Sequence, residues 1–188
     1  MEDRKLVVVG VDGSEDGLRA VKYGASFAAE TNGEVLLVHA VDDAMLAGAW
    51  GVVYDPEVLQ NAGANANEAA AAKAREIGLP GDRIRTEVVL GSPGGVLGRL
   101  SEVADLIVVG RRSVSGLERM FVGSTSVSVV ASSRCPVLVI SAAAHPQDVG
   151  NKKLIGVGLN TSRVNHSTLA AAFEQAQLLG ARLEIVHA

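Results

Sequence analysis

Short apolar blocks alternate with stretches whose apolar positions recur every three or four residues, from the start of the chain to about residue 140. Residues 6–11 (LVVVGV) form a β-branched run that stops at Asp12-Gly13, the mark of a buried strand ending in a turn. Ser14 stands where a helix N-cap belongs, and Glu15 and Asp16 fill the first turn. Leu18, Val21, Ala25 and Ala28 then follow at helical spacing until Asn32-Gly33 closes the segment. Residues 34–40 (EVLLVHA) read as a second strand. Strand, helix and strand in that order predict a right-handed crossover between two parallel strands.

The alternation continues. Residues 42–55, with Gly48, Gly51 and the only tryptophan, Trp50, read as a mobile loop. Residues 56–77 are alanine-rich and broken only by Gly63, so they predict a helix that Gly78 ends. Residues 83–90 read as a strand, and Ser92-Pro93 opens a helix that should run to about Val103. Residues 105–110 (DLIVVG) are a buried strand, Ser124 starts a helix of small residues, and Cys135-Pro136 leads into a last strand, 137–140. Five strands with interleaved helices predict an α/β fold. It would be a doubly wound parallel sheet, in the order 3-2-1-4-5, with helices on both faces.

Beyond Ile140 the text turns small and polar, and then the opening recurs. Residues 153–162 line up with residues 5–14 without a gap, and at the same offset Val186-His187-Ala188 falls on Val38-His39-Ala40. The expected organisation is a domain over 1–141, a linker over 142–152, and a partial second β-α-β repeat over 153–188. A β-α-β piece of that size exposes much apolar surface. It should pack on another domain or chain, or belong to a longer protein.

Composition narrows the chemistry. Hydrophobic residues make up 48% but aromatics only 3%, so the core must be Val, Leu, Ile and Ala, as in buried parallel strands. A net charge of −4, without clustered Lys and Arg or aromatic platforms, argues against nucleic acid or an anionic membrane as partner. No apolar run nears the roughly 20 residues of a membrane span, and the charged residues 1–5 lead straight into a strand with no signal-peptide pattern. A cytoplasmic location is the expectation. Cys135, alone, makes no intrachain disulfide or metal cluster and reads as a small buried hydrophobe.

His39 reads as a core histidine. Nothing resembles a nucleophile elbow, a kinase set or a Walker lysine. Residues 12–17 imitate the start of an EF-hand, yet the last bidentate position falls on Tyr23 and a strand precedes the loop. That reading fails. A likeness to the pyrophosphate loop of adenylating enzymes fails too, because it leaves the loop after Gly110 without a purpose.

In an open parallel sheet, ligands bind beyond the carboxyl ends of the strands where the winding reverses, here between strands one and four. The loops at that crevice are 11–14 and 110–124. Gly110 lets the chain turn and a ligand approach. Gly123, Ser124 and Thr125 at a helix start offer backbone N–H groups and hydroxyls to a phosphate; Ser124 alone better suits plain capping, and it is the combination with the crevice that favours a ligand. Arg111 and Arg112 either add positive charge or lie in solvent. Asp12 either accepts hydrogen bonds from a ribose or an adenine amino group, or forms an Asx turn. Val41, just past the second strand, would wall an adenine ring.

Taken in order, VVVGVDGS, LLVHAV, DLIVVG, the glycine-containing loop to GSTS, and CPVLVI resemble the universal stress protein family over residues 5–140. The resemblance implies ATP binding, with or without Mg2+, and a stress-response switch. It implies that Asp12 and Val41 contact the adenosine part, and that Gly110, Ser113, Gly123, Ser124 and Thr125 contact the phosphates. Homodimers or tandem pairs joined along the strand from Pro136 to Ile140 are implied as well. The family's ATP-binding branch has Gly, two residues, Gly, nine residues, then Gly-Ser or Gly-Thr. This chain keeps the spacing but has Ser113 at the second glycine. Where that glycine serves a left-handed backbone, serine costs about 1 kcal/mol, enough to weaken binding several-fold. The other readings are a nucleotide-free scaffold acting by protein contact, and a slow ATPase.

Overall fold

The computed structural model describes residues 4–42, 55–111, 123–140, 154–159, 166–178 and 180–187. Strand β1 (Leu6–Gly10) buries Val7, Val8 and Val9 completely, so both of its faces are covered and it must lie inside a sheet. On one side it pairs with β2 (Glu34–Val41), and β2 pairs with β3 (Ile84–Leu90). On the other it pairs with β4 (Leu106–Gly110), and β4 pairs with β5 (Val137–Ile140). All pairs are parallel, and the order is 3-2-1-4-5. Asp105 fastens the sheet at its lower end, accepting from Leu6 N (2.8 Å) while Lys5 pairs with it (3.2 Å).

Alternation along each strand sends its side chains to two helical layers. Val7, Val9, Val35 and Leu37 meet α1 (Glu15–Glu30) and α2 (Pro56–Glu76), where Val21, Ala25, Ala28, Ala70 and Ala74 are buried. Val8, Leu36, Val38 and Ile107 meet Val96 and Leu97 of α3 (Pro93–Leu100) and Val129 of α4 (Ser124–Ser132). Small alanines on α1 and α2 let these helices lie close on the branched strands, which is why so few aromatics suffice.

The helix signals act locally as their chemistry requires. Ser14 Oγ accepts from Gly17 N (3.1 Å), and Asp55 Oδ1 from Glu57 N (2.9 Å). One boundary differs from the sequence expectation: α3 stops at Leu100, not near Val103. Ser101 turns the chain there, donating to Gly98 O (2.6 Å) and accepting from Arg134 N (2.9 Å). Val103 is left exposed as a result. Cys135 also departs from its reading, being half-buried rather than buried, with burial pushing its thiol pKa up.

Two compact units divide the chain, Met1–Ala144 and His145–Ala188. Within the second, β6 (Leu154–Leu159), α5 (His166–Leu178) and β7 (Arg182–His187) form a parallel β-α-β unit. The loop expected over 42–55 lies outside the described residues from 43 to 54, as does the whole expected linker, 142–152. Among the described residues no helix is long and apolar enough to cross a membrane.

Candidate functional site

At the carboxyl ends of β1, β2 and β4 the two helical layers part around a cleft of about 520 Å³. That size lies within the range of about 300–1,000 Å³ common to small-molecule sites. Asp12, His39 and Val41 line it from the β1 and β2 side, Gly110 from β4, and Gly123, Ser124 and Thr125 from the start of α4. Leu59 and Ala62 of α2 and Leu97 of α3 close its flanks. The sequence reading requires the first loop and the entrance of α4 to meet across one crevice. They do. Of the candidate residues only Ser113 lies outside the described residues, with its neighbour Arg112.

Asp12 is held rather than loose. Its Oδ1 accepts from Ser14 N (3.0 Å) and Ser14 Oγ (2.5 Å), while that hydroxyl caps α1. The turn-forming and cleft-lining roles set against each other in the sequence therefore coincide in one side chain. A Cβ at Gly17 would come within 2.6 Å of Asp12 Oδ1, so Gly17 keeps the space the carboxylate occupies. Nothing in the sequence marks Gly17 for that part.

The two glycines of the opposite wall differ in kind. A Cβ at Gly110 would stand 2.5 Å from Asp16 O and 2.8 Å from Gly17 N, both backbone atoms. Glycine there is a demand of the fold, because the end of β4 rests on the first turn of α1. Gly123 is under no such demand. Its φ of −58° suits any residue, and a Cβ there would meet no heavy atom within 4 Å among the described residues. What its bare backbone leaves is room in the cleft, next to the first turn of α4. Among the described residues that turn has no side-chain cap, so its N–H groups face a place where an anion would be favoured.

His39 corrects the sequence reading. It is half-buried and lines the cleft, not the core. Gly63 of α2 lies against the ring: a Cβ there would come within 2.7 Å of His39 Cδ2. The imidazole Nδ1 is buried with no hydrogen-bond partner among the described residues. The one sequence signal for this arrangement is Gly63, the only breaker in an alanine-rich helix. Among the described residues no group of three His, Cys, Asp or Glu side chains could hold a metal ion.

Comparison with known proteins agrees with this architecture. The family model for the universal stress protein family matches residues 4–141. A universal stress protein of Methanocaldococcus jannaschii is 33% identical over 143 residues, covering 72% of this chain and 81% of that one. One from Mycobacterium tuberculosis is 33% identical over 193 aligned residues, covering 97% of this chain but 63% of the relative. The chain thus spans less than two thirds of that relative's length. A crystal structure of a universal stress protein in complex with cAMP is 28% identical, with a TM-score of 0.53, and covers 72% of this chain and 95% of that one.

Proposed function

The chain belongs to the universal stress protein family, and from that membership we propose that its first unit binds an adenine nucleotide, ATP in the first instance. Occupancy would then switch its conformation or its partners. The observation that carries this reading is the meeting of Asp12 and Gly123, from opposite ends of the unit's sequence, on one cleft of nucleotide size. Asp12 accepts hydrogen bonds from ribose hydroxyls, and Val41 walls the adenine. The uncapped first turn of α4, from Gly123 through Ser124 and Thr125, receives the phosphates, with Gly110 giving close approach and Ser113 the remaining contact. The relative solved with cAMP supports the adenine class of ligand. Mg2+ would travel on the phosphates of ATP, as the described residues hold no cluster for it.

Gly123 supplies the test. Because neither φ nor packing among the described residues demands glycine, Gly123→Val should lower the melting temperature of the ligand-free protein only slightly, through the exchange of a good N-cap residue for a poor one. Wild-type protein should be stabilised by ATP, ADP or AMP, by about 2.7 kcal/mol at a hundred times the dissociation constant. The variant should lose that shift. A wild-type protein whose melting is indifferent to all three nucleotides, with and without Mg2+, leaves the nucleotide-free scaffold as the better reading.

A further inference from the structure

We propose that His39 is a specificity-determining residue of the cleft, donating a hydrogen bond from Nε2 to a ring nitrogen of the bound base. This rests on the nucleotide reading of the same cleft and adds a donor to it. His39 and Val41 alternate with Ala40 along β2, so they stand on one face of the strand. The base walled by Val41 has His39 beside its edge. Both residues line the cleft.

The ring's surroundings decide which of its nitrogens carries the hydrogen. A neutral imidazole has one N–H donor and one bare acceptor. Among the described residues Nδ1 is buried and has no hydrogen-bond partner, so a hydrogen there would be a donor without an acceptor. The hydrogen therefore sits on Nε2, and Nε2 is the nitrogen left to meet a ligand. Gly63 lies against the ring: its missing Cβ leaves space at Cδ2, the carbon bonded to Nε2. A tilt of the ring toward α2 would close that space. The cleft then offers the nucleoside half of a ligand complementary groups, with Asp12 accepting from hydroxyls and His39 donating to the base.

Two measurements test this. Long-range 1H–15N spectra of the ligand-free protein, with His39 assigned by its disappearance in His39→Gln, should show the hydrogen on Nε2. Titration calorimetry should compare AMP with its 1-deaza, 3-deaza and 7-deaza analogues against wild type, His39→Leu and His39→Gln. One deaza analogue should bind wild type on the order of tenfold more weakly than AMP, the size of one hydrogen bond. His39→Leu should bind AMP with the same loss and no longer distinguish that analogue. His39→Gln, whose amide N–H reaches the position of Nε2, should restore the discrimination. The proposal is overturned if the hydrogen lies on Nδ1, or if His39→Leu keeps the wild-type affinity for AMP. It is equally overturned if His39→Leu weakens AMP and every analogue alike, the signature of a packing residue, or if glutamine is no better than leucine. A wild-type protein that binds neither AMP nor ATP defeats the nucleotide reading along with this one, whereas binding that ignores His39 defeats this one alone.

Discussion

The two units begin with sequences that align without a gap, and they differ in how much of them is buried. Leu6 pairs with Glu34 in the first, and Leu154 with Arg182 in the second, so the strand register repeats at the offset at which the sequences align. Burial does not repeat. Leu37 is 0% exposed and its counterpart Ile185 55%; Val38 is 2% exposed and Val186 52%. On α1 the aligned position is the fully buried Ala25, and on α5 it is the exposed Phe173. A β-α-β sequence thus specifies a strand pair, its register and the side its helix takes. Burial of that pair falls to elements later in the chain, here β3, β4 and three helices. The cleft obeys the same rule, since the loop after β1 supplies one wall and only β4 and α4 supply the other.

The largest effect that separates the units should come from cutting back the aligned pair. Leu37→Ala removes a fully buried side chain and should cost about 2–5 kcal/mol. Ile185→Ala removes an exposed one and should cost within about 0.5 kcal/mol. Urea unfolding of each variant at matched protein concentration reads the difference. Equal losses would break the comparison, because Ile185 would then be covered in solution.

A second variant strikes β4 of the first unit. Gly110→Ala places a Cβ against backbone atoms of the first turn of α1, and those atoms have no rotamer by which to give way. It should destabilise the protein by about 1–3 kcal/mol, as overpacking does. It should also weaken nucleotide binding, because the turn it displaces holds Ser14 and Asp12. A variant as stable as wild type that still binds would mean that β4 and α1 are less closely packed than their geometry indicates.

How much of the molecule is legible in its sequence depends on the range of the interactions involved. The strands, their parallel order and the cap at Ser14 rest on local patterns, and those patterns are legible; the cap at Asp55, inside the stretch read as a loop, goes unread. The candidate walls are legible too, because turn chemistry fixes a strand end and topology fixes which ends adjoin. What escapes is contact between distant residues. Gly63 beside His39 and Gly110 against Asp16 each answer a neighbour that no spacing along the chain reveals. His39 is misread for the same reason. A histidine near the end of an apolar strand looks like core until it is known that the cleft opens beside it. The early stop of α3 belongs with these, since Ser101 answers Arg134 across the fold.

The smallest predicted effect is the sharpest comparison, because a gain in one unit should be cancelled or reversed in the other. Gly10 and Gly158 occupy aligned positions in β1 and β6, and neither has positive φ. Replacing either by alanine reduces the freedom of the unfolded chain, which favours the folded state by about 0.4–1 kcal/mol where nothing opposes it. At Gly158 a Cβ would meet no heavy atom within 4 Å among the described residues, so the gain should appear in full. At Gly10 it would stand 3.0 Å from Leu97 Cδ1 and 3.3 Å from Val109 Cγ1, and both side chains must yield by a few tenths of an ångström. Leu97 is itself buried between β1 and α3, so its movement should cancel the gain or exceed it. Hydrogen exchange of the β6 and β1 amides resolves the two units separately. Protection should rise in β6 of Gly158→Ala and stay level or fall in β1 of Gly10→Ala. A fall in β6 would mean that something packs on that strand in solution, and that the second unit, too, owes its stability to neighbours.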